Sequence, residues 1–433
     1  MLSRTWILLV LLPFAALASR ERTAEPPSPS QSVECAAEDG RITLPEGFCA
    51  TVFADDLGRV RHLAIAENGD VYVAMRPTDR DSEDGGVLAL RDTDGDGTAD
   101  ITERLAETRS GTGIALYGGH LYYAHDGGVV RAPVEAGTLL PTGPFEAIVS
   151  DLPGPGTSHA AKSAAIDGTG RIFVNIGAPS NSCQEEDRTA DSPGQDPCPE
   201  LENRGGIWQF DATRSGQTQA SGTRFATGLR NTFSVAIHPE TGQLWGAQHG
   251  RDQLAMNWSS RGYSDADQAE LPAEEFVRIG EGDDFGWPYC YYDAARGKKV
   301  LSPEYGGDGE EVGRCAEVRN PVIAFPAHWA PTALAFYTAE QFPERYRDGA
   351  FLAFHGSWNR APLPQGGYNV VFIPFERGEP SGEWEVFADG FAGEEVDPQN
   401  ATHRPSGLGI GPDGSLYISD DKGGRIWRII YRG

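Results

Sequence analysis

Apolar and β-branched residues along this chain come in short runs, each set directly behind a glycine-containing turn, and stretches with the 3.6-residue period of an amphipathic helix are scarce. Short runs of this kind, bounded by Gly and Pro, read as strands. One unit recurs, a turn followed by a β-rich run: ENGDVYVAMR (Glu67 to Arg76), GGHLYYAHDGGVVR (Gly118 to Arg131), GTGRIFVNIG (Gly168 to Gly177), ETGQLWGAQHG (Glu240 to Gly250), RDGAFLAFHGS (Arg347 to Ser357) and PDGSLYISDDKGGRIWRI (Pro412 to Ile429). None has enough surface to bury its apolar face alone, so six copies predict radial repetition: an all-β fold, a six-bladed β-propeller. A β-sandwich or two stacked β domains would also show turn-strand signals, but neither demands six similar units. The run IWRIIY (Ile426 to Tyr431) is expected to close the ring beside an N-terminal strand such as CATVFADD (Cys49 to Asp56).

Composition agrees, with 54 Gly and 30 Pro among 433 residues. The uneven spacing of the units places long loops around Cys183 to Cys198 and between Gly250 and Arg347. Residues 1–18 read as a secretory signal peptide: Arg4, an apolar run from Trp6 to Leu17 broken by Pro13, and Ala16-Leu17-Ala18 as a small-x-small cleavage site. Residues 19–34 read as a flexible Pro- and Ser-rich linker, and 35–433 as a single propeller domain. No later run is long and apolar enough to span a bilayer, so the expectation is an exported protein, periplasmic or secreted, with no membrane span in the mature chain.

A formal charge of −27 argues against nucleic acid as a partner, because phosphate binding needs clustered Lys and Arg. The six cysteines, Cys35, Cys49, Cys183, Cys198, Cys290 and Cys315, suit an oxidising compartment. They allow fifteen pairings. Sequential pairing is the expectation, each bridge stapling a local excursion. There is no CxxC for a metal cluster and no CxxCH for haem attachment.

Two groups of residues could carry chemistry. DTDGDGTADITE places oxygen ligands at loop positions 1, 3, 5, 7, 9 and 12, which are Asp92, Asp94, Asp96, the Thr98 carbonyl, Asp100 and Glu103, with Gly97 at the sharp turn. That is a calcium-loop pattern, although the preceding VLALR looks like a strand and not an EF-hand helix. An ion here would be structural. The second group is dispersed: SHAAK (Ser158 to Lys162), GLRN (Gly228 to Asn231), AQHGRD (Ala247 to Asp252), DFGWPY (Asp284 to Tyr289), PAHWAPTALAFY (Pro326 to Tyr337), HGSWNR (His355 to Arg360) and THRPSGLGIGPDGSLYISD (Thr402 to Asp420). His, Arg and Trp fall beside Gly at strand ends, where propeller loops gather around one mouth of the central channel. Most of the nine histidines, including His62, His120, His125 and His238, read as structural. His328 and His355 belong to motifs that point toward the channel. Trp245, Trp427 and Phe354 read as blade packing.

Taken in order, these motifs resemble the family of soluble quinoprotein sugar dehydrogenases, which includes PQQ-dependent aldose dehydrogenases and sorbosone dehydrogenase-like proteins. The similarity runs from about Leu44 to Tyr431. It implies an oxidoreductase with PQQ and Ca²⁺ as cofactors, a small-molecule sugar substrate and an external electron acceptor. By the same resemblance His159 is the general base that takes the proton from a sugar hydroxyl while hydride passes to the quinone. Arg230 and Asn231 would contact the cofactor and the developing oxyanion, Gly250 and Arg251 would offer backbone carbonyls to an active-site Ca²⁺, and Arg404 would hold a cofactor carboxylate. His328, Lys162 and Arg360 complete the expected cofactor set, the last two standing in for a lysine that has no clear counterpart. Ser158, Arg251 and Ser406 replace the Asp, Pro and second Arg of the glucose-oxidising members. The chemistry agrees independently: a tricarboxylate quinone wants Arg forks and a Lewis acid, and a neutral imidazole can accept a proton. The alternatives are a Ca²⁺-dependent lactonase-type propeller hydrolase and a non-catalytic binding propeller. Several arginines around one mouth are of no use to an ester hydrolase.

Overall fold

The computed structural model describes residues 33–433 except 80, 81, 83, 106 and 108; the expected signal peptide and residues 19–32 of the linker lie outside the described residues. Six antiparallel sheets of four principal strands form a six-bladed β-propeller. The first blade comprises Arg59–Ile65, Val71–Arg76, Gly86–Arg91 and Ile101–Arg104. The second runs from Gly111 to Ser150, the third from Ala164 to Thr227, the fourth from Ser234 to Phe325 and the fifth from Pro331 to Ala388. The sixth is built from both chain ends. Pro405–Ile410, Leu416–Asp420 and Ile426–Tyr431 are joined by Phe48–Ala54, whose Val52 lies opposite Trp427. The expected ring closure is therefore the one observed.

Each recurrent turn-strand unit becomes the turn and second strand of one blade: Val71–Arg76, His120–His125, Arg171–Ile176, Leu244–Gln248, Gly349–Phe354 and Leu416–Asp420. These strands are apolar on both faces because both faces are covered. Val71, Val73 and Met75 pack toward the sixth blade, and the alternating Tyr72 and Ala74 pack toward the second. Six hydrophobic clusters result, one between each pair of neighbouring blades. Trp245 and Trp427 are wholly buried in two of them.

In an up-and-down blade, successive connections alternate between the two ends of the ring. The links between blades, and those between second and third strands, share one end. That end carries the long insertions 177–205 and 249–273. Residues 280–322 start from the opposite end but climb to join them. Glu304 is the knot: its carboxylate accepts from Ser182 Oγ and Trp258 Nε1, at 2.9 and 2.8 Å, and pairs with Arg251. Disulfides join Cys35 to Cys49, Cys183 to Cys198 and Cys290 to Cys315, the sequential pairing, and no free cysteine remains among the described residues. Two of these bridges lie within the insertions.

Candidate functional site

Four of the six innermost strands carry a register shift where they start, at Val60/Leu63, Gly111/Gly113, Pro331/Ala333 and Pro405/Gly407. Bulges re-aim side chains. Here they bring polar groups together between blades: His62 Nε2 bonds the Thr332 carbonyl at 2.7 Å and Ser406 Oγ the Val60 carbonyl at 2.9 Å. Ser163 Oγ bonds the Thr232 carbonyl, also at 2.9 Å, between the two unshifted strands. Phe233 stands among them, edge-on to His62, stacked on His249 at 5.8 Å and covered by the Arg61 guanidinium at 5.4 Å. Together they form a floor across the channel.

Around this floor the loops assemble a charged rim. Asp252 is its central node. Its carboxylate accepts from Arg230 Nη2 at 3.0 Å, Arg188 Nη2 at 3.1 Å and Asn359 Nδ2 at 3.0 Å, and its amide donates to Asn181 Oδ1 at 2.9 Å. Burial alone would raise its pKa, but Arg230, aided by His328 and Arg188, outweighs that and holds it at about 2. Arg230 is fixed from every side: Nη1 donates to the Gly250 carbonyl at 2.8 Å, and Nε and Nη2 donate to the carbonyl and Oδ1 of Asn181, each at 3.1 Å. Across the rim, Asp421 accepts from His355 Nε2 at 2.6 Å and pairs with Arg61 Nη2 at 3.0 Å. Burial opposes its ionisation, yet Arg61 and then His355 hold its pKa well below the carboxylate range. His355 serves as a neutral donor, because burial lowers its own pKa. Arg404 donates Nε and Nη2 to the carbonyls of His355 and Gly356, at 2.9 and 2.7 Å.

His159 sits on the link into the third blade, its backbone in the left-handed region at φ +52°. A non-glycine residue held there costs of order 1–3 kcal/mol, and such positions cluster at functional sites. The Ala178 carbonyl can only accept, so the 2.6 Å contact to Nδ1 places the ring hydrogen there and leaves the Nε2 lone pair unused. Burial, then the Arg230 charge, pushes the His159 pKa down to about 3, so the ring is neutral at pH 7. Asn231 is close by: a Cβ on Gly177 would meet both His159 Cβ and Asn231 Oδ1, and that oxygen accepts from Asn175 Nδ2 at 3.4 Å.

Not every expected site residue faces the mouth in this way. Lys162 is completely buried beneath the loop, Nζ donating to the Ala160 carbonyl at 2.6 Å, and burial lowers its pKa to about 7. Arg360 donates to the carbonyls of Ala269, Ala327 and Pro364, anchoring the short helix Asp265–Glu270. His328 bonds the Gln268 carbonyl at 2.7 Å, with Nδ1 3.9 Å from Asp252. The Gly250 carbonyl accepts from Arg230, and the Arg251 side chain is turned away to Glu304. Of the calcium-loop residues, oxygens of Asp92, Asp94 and Asp100 converge within 4.8 Å. Asp96 and Glu103 lie outside that group. The loop links the third and fourth strands of the first blade, at the end of the ring opposite the rim, and it packs on the closing strand through Thr51 Oγ1 and the Phe53 carbonyl.

Sequence reasoning missed Arg61, Asn181, Asp252 and Asp421. Asp252 follows the GR pair directly, and Asp421 ends the SDD run that terminates a second strand, so their positions at strand ends were the available signal. Arg61 had none, being one of two arginines in RVRH.

Residues 42–432 match the family described as TrAA12-like. Among curated proteins, one from Borreliella burgdorferi described only as uncharacterized is 27% identical over 209 residues, covering 48% of each chain. The pyrroloquinoline quinone-dependent pyranose dehydrogenase of Coprinopsis cinerea is 29% identical over 188 residues, which is 36% of this chain and 25% of that protein. The chain thus spans about half the length of the first of these relatives and a quarter of the second. Among solved structures, a Trichoderma reesei protein of Carbohydrate-Active Enzymes family AA12 superposes with TM-score 0.73 at 18% identity, covering 93% of this chain and 100% of that one. At that identity the likeness concerns the fold.

Proposed function

The chain belongs to the TrAA12-like family, and from that premise we propose that it is a PQQ- and Ca²⁺-dependent oxidoreductase that oxidises a sugar or a sugar-derived aldehyde. The observation that carries this reading is the rim itself. Three buried or half-buried arginines, Arg61, Arg230 and Arg404, share one mouth with a neutral imidazole whose Nε2 is unengaged.

The residues present fit a planar tricarboxylate. Arg61 is buried, yet its Nε has no partner among the described residues, and Arg404 Nη1 likewise makes no hydrogen bond there. A buried unpaired donor costs about 1–3 kcal/mol unless a ligand satisfies it. Phe233 and His249 supply flat surfaces. For Ca²⁺, the Arg251 carbonyl is an oxygen donor of the right hardness, while the Gly250 carbonyl already accepts from Arg230 and has only its second lone pair to offer; the loop from Asp92 to Glu103 offers a second, structural position.

When bound, the quinone accepts the hydride equivalent that the sugar carbon gives up. The chain's own part is positioning and proton transfer. His159 Nε2 takes the proton of the reacting hydroxyl, while Nδ1 stays tied to the Ala178 carbonyl and keeps the lone pair aimed. Arg230, held by Asn181, Gly250 and Asp252, presents a fixed positive charge to the oxyanion with little reorganisation. Anionic groups seated on the arginines would offset the charge that lowers the His159 pKa, making it a better base. Three disulfides support an extracytoplasmic location, and no helix among the described residues is long and apolar enough to cross a membrane.

The test is to load purified apoprotein with Ca²⁺ and PQQ, record the bound-quinone spectrum, then screen sugars with an artificial electron acceptor. His159→Gln is expected to keep the spectrum and lose turnover by about 10²–10⁴-fold. No quinone binding refutes the dehydrogenase reading; full turnover by the variant refutes the role of His159.

A further inference from the structure

Beside the rim, between the first three blades, lies a pocket of about 740 Å³, a size that accommodates a small organic ligand. One wall is the loop Pro155–Ala160, so Ser158 and Ala160 flank His159 directly. The opposite wall carries Arg76, Arg109, Ser110, His125 and Asp126.

The hydrogen-bonding state of that wall is unusual. Arg76 and Asp126 face one another at 3.6 Å, too far for either to satisfy the other, and neither side chain is more than about a quarter exposed. Among the described residues, Asp126 Oδ1 and Ser110 Oγ are buried without any partner. His125 accepts the Gly127 amide at 3.1 Å through Nδ1, so Nε2 carries the ring hydrogen. Burial, with Arg109 adding, lowers its pKa to about 4 and keeps it neutral. Arg109 is held by Glu107 through both nitrogens of its fork. The wall therefore offers unused donors and unused acceptors side by side, with its formal charges already matched.

We propose that this pocket is a diol-binding subsite for a neutral sugar, with Asp126 accepting from two adjacent hydroxyls and Arg76 donating to their oxygens. A hydroxyl is both donor and acceptor, so adjacent hydroxyls of a neutral polyol use both halves of the pair without adding a charge. A sugar acid would meet the Asp126 carboxylate, and the two lining arginines are already matched by Asp126 and Glu107. The inference rests on the dehydrogenase reading for its place beside the base, but the pocket's chemistry is independent of any cofactor.

Isothermal titration calorimetry of the apoprotein separates the two. The probes are 1,5-anhydroglucitol, a neutral ring lacking the anomeric hydroxyl, and glucuronate, each titrated to tens of millimolar, against wild type, Asp126→Asn and Arg76→Gln, with folding of each checked by circular dichroism. The expected result is that wild type binds the neutral probe more tightly than glucuronate, and that each variant weakens it by about tenfold or more. With PQQ loaded, the same variants raise KM for an oxidised sugar by a similar factor and leave kcat within twofold. Absence of binding by wild type, equal binding by the variants, or a preference for glucuronate overturns the proposal. If the apoprotein never takes up PQQ, the dehydrogenase reading fails while the calorimetry still decides this one.

Discussion

Replacing Asp252 by Asn tests whether the rim is organised by charge. The side chain keeps its shape and can still accept from Arg230 Nη2, at present 3.0 Å away; the negative charge is lost, together with the acceptor that faces Asn359 Nδ2. Arg230 is then left with carbonyl and amide oxygens alone, in a site where its side chain is 4% exposed. Stripping the counter-charge from a buried cation costs about 3–5 kcal/mol. For a domain of about 400 residues the unfolding entropy is roughly 0.8 kcal/mol/K, so Tm should fall by about 4–6 °C. Arg230→Met in the Asp252→Asn background should recover part of that loss, because no unpaired charge remains, and the double-mutant cycle should show a coupling well above 1 kcal/mol. Differential scanning fluorimetry at pH 7 and low salt reads all four proteins. An Asp252→Asn protein within about 1 °C of wild type, or a coupling near zero, would refute the view that this ion pair is buried and decisive.

Calcium should raise the Tm of EDTA-treated protein, by an amount worth about 2.7 kcal/mol when free calcium is a hundred times the Kd, and Asp92→Asn/Asp94→Asn/Asp100→Asn should lose the part of that gain due to the loop, as read by fluorimetry with and without CaCl₂. Burial holds His62 and His249 at pKa values of about 4, so between pH 6.5 and 4 the unfolded chain takes protons that the folded chain refuses. Urea-unfolding free energies should therefore drop on acidification, and His249→Gln should make the drop shallower by about 1.4 kcal/mol per pH unit in that window. Phe48→Ala removes a ring whose centroid lies 4.8–5.3 Å from those of Phe342, Tyr346, Phe387 and Tyr431, and should cost about 3–5 kcal/mol in guanidinium unfolding.

The six recurrent units were legible because a propeller repeats one physical demand: a tight turn feeding a strand buried on both faces. Tyr122 and Tyr123 show it, packing in opposite directions toward the third and first blades. Ring closure was legible from two apolar runs in need of partners, and the disulfides from the locality of their spacing. The rim was only partly legible. Gly-flanked His and Arg at strand ends marked its loops, but which side chain turns inward depends on bulges and insertions. Arg360 and Arg404 were both expected to face the cofactor. One braces a helix and the other lies against the rim, because only the second follows an inter-blade link directly into an innermost strand. His62 read as structural, and its contact is a tie from the first blade to the Thr332 carbonyl of the fifth. Asp252 needed three loops from different blades before its role could be seen.

The closing strand also sets a schedule. Thr51 and Arg428 meet across the sixth blade although 377 residues separate them. During synthesis the strand Phe48–Ala54 leaves the ribosome before the other five blades, and its partner Ile426–Tyr431 only after them. Five blades can assemble in sequence while one strand waits unpaired, and the ring closes only once Ile426–Tyr431 has been made. A chain interrupted at any earlier point is an open arc with two raw edges, which is the form a protease or chaperone would meet.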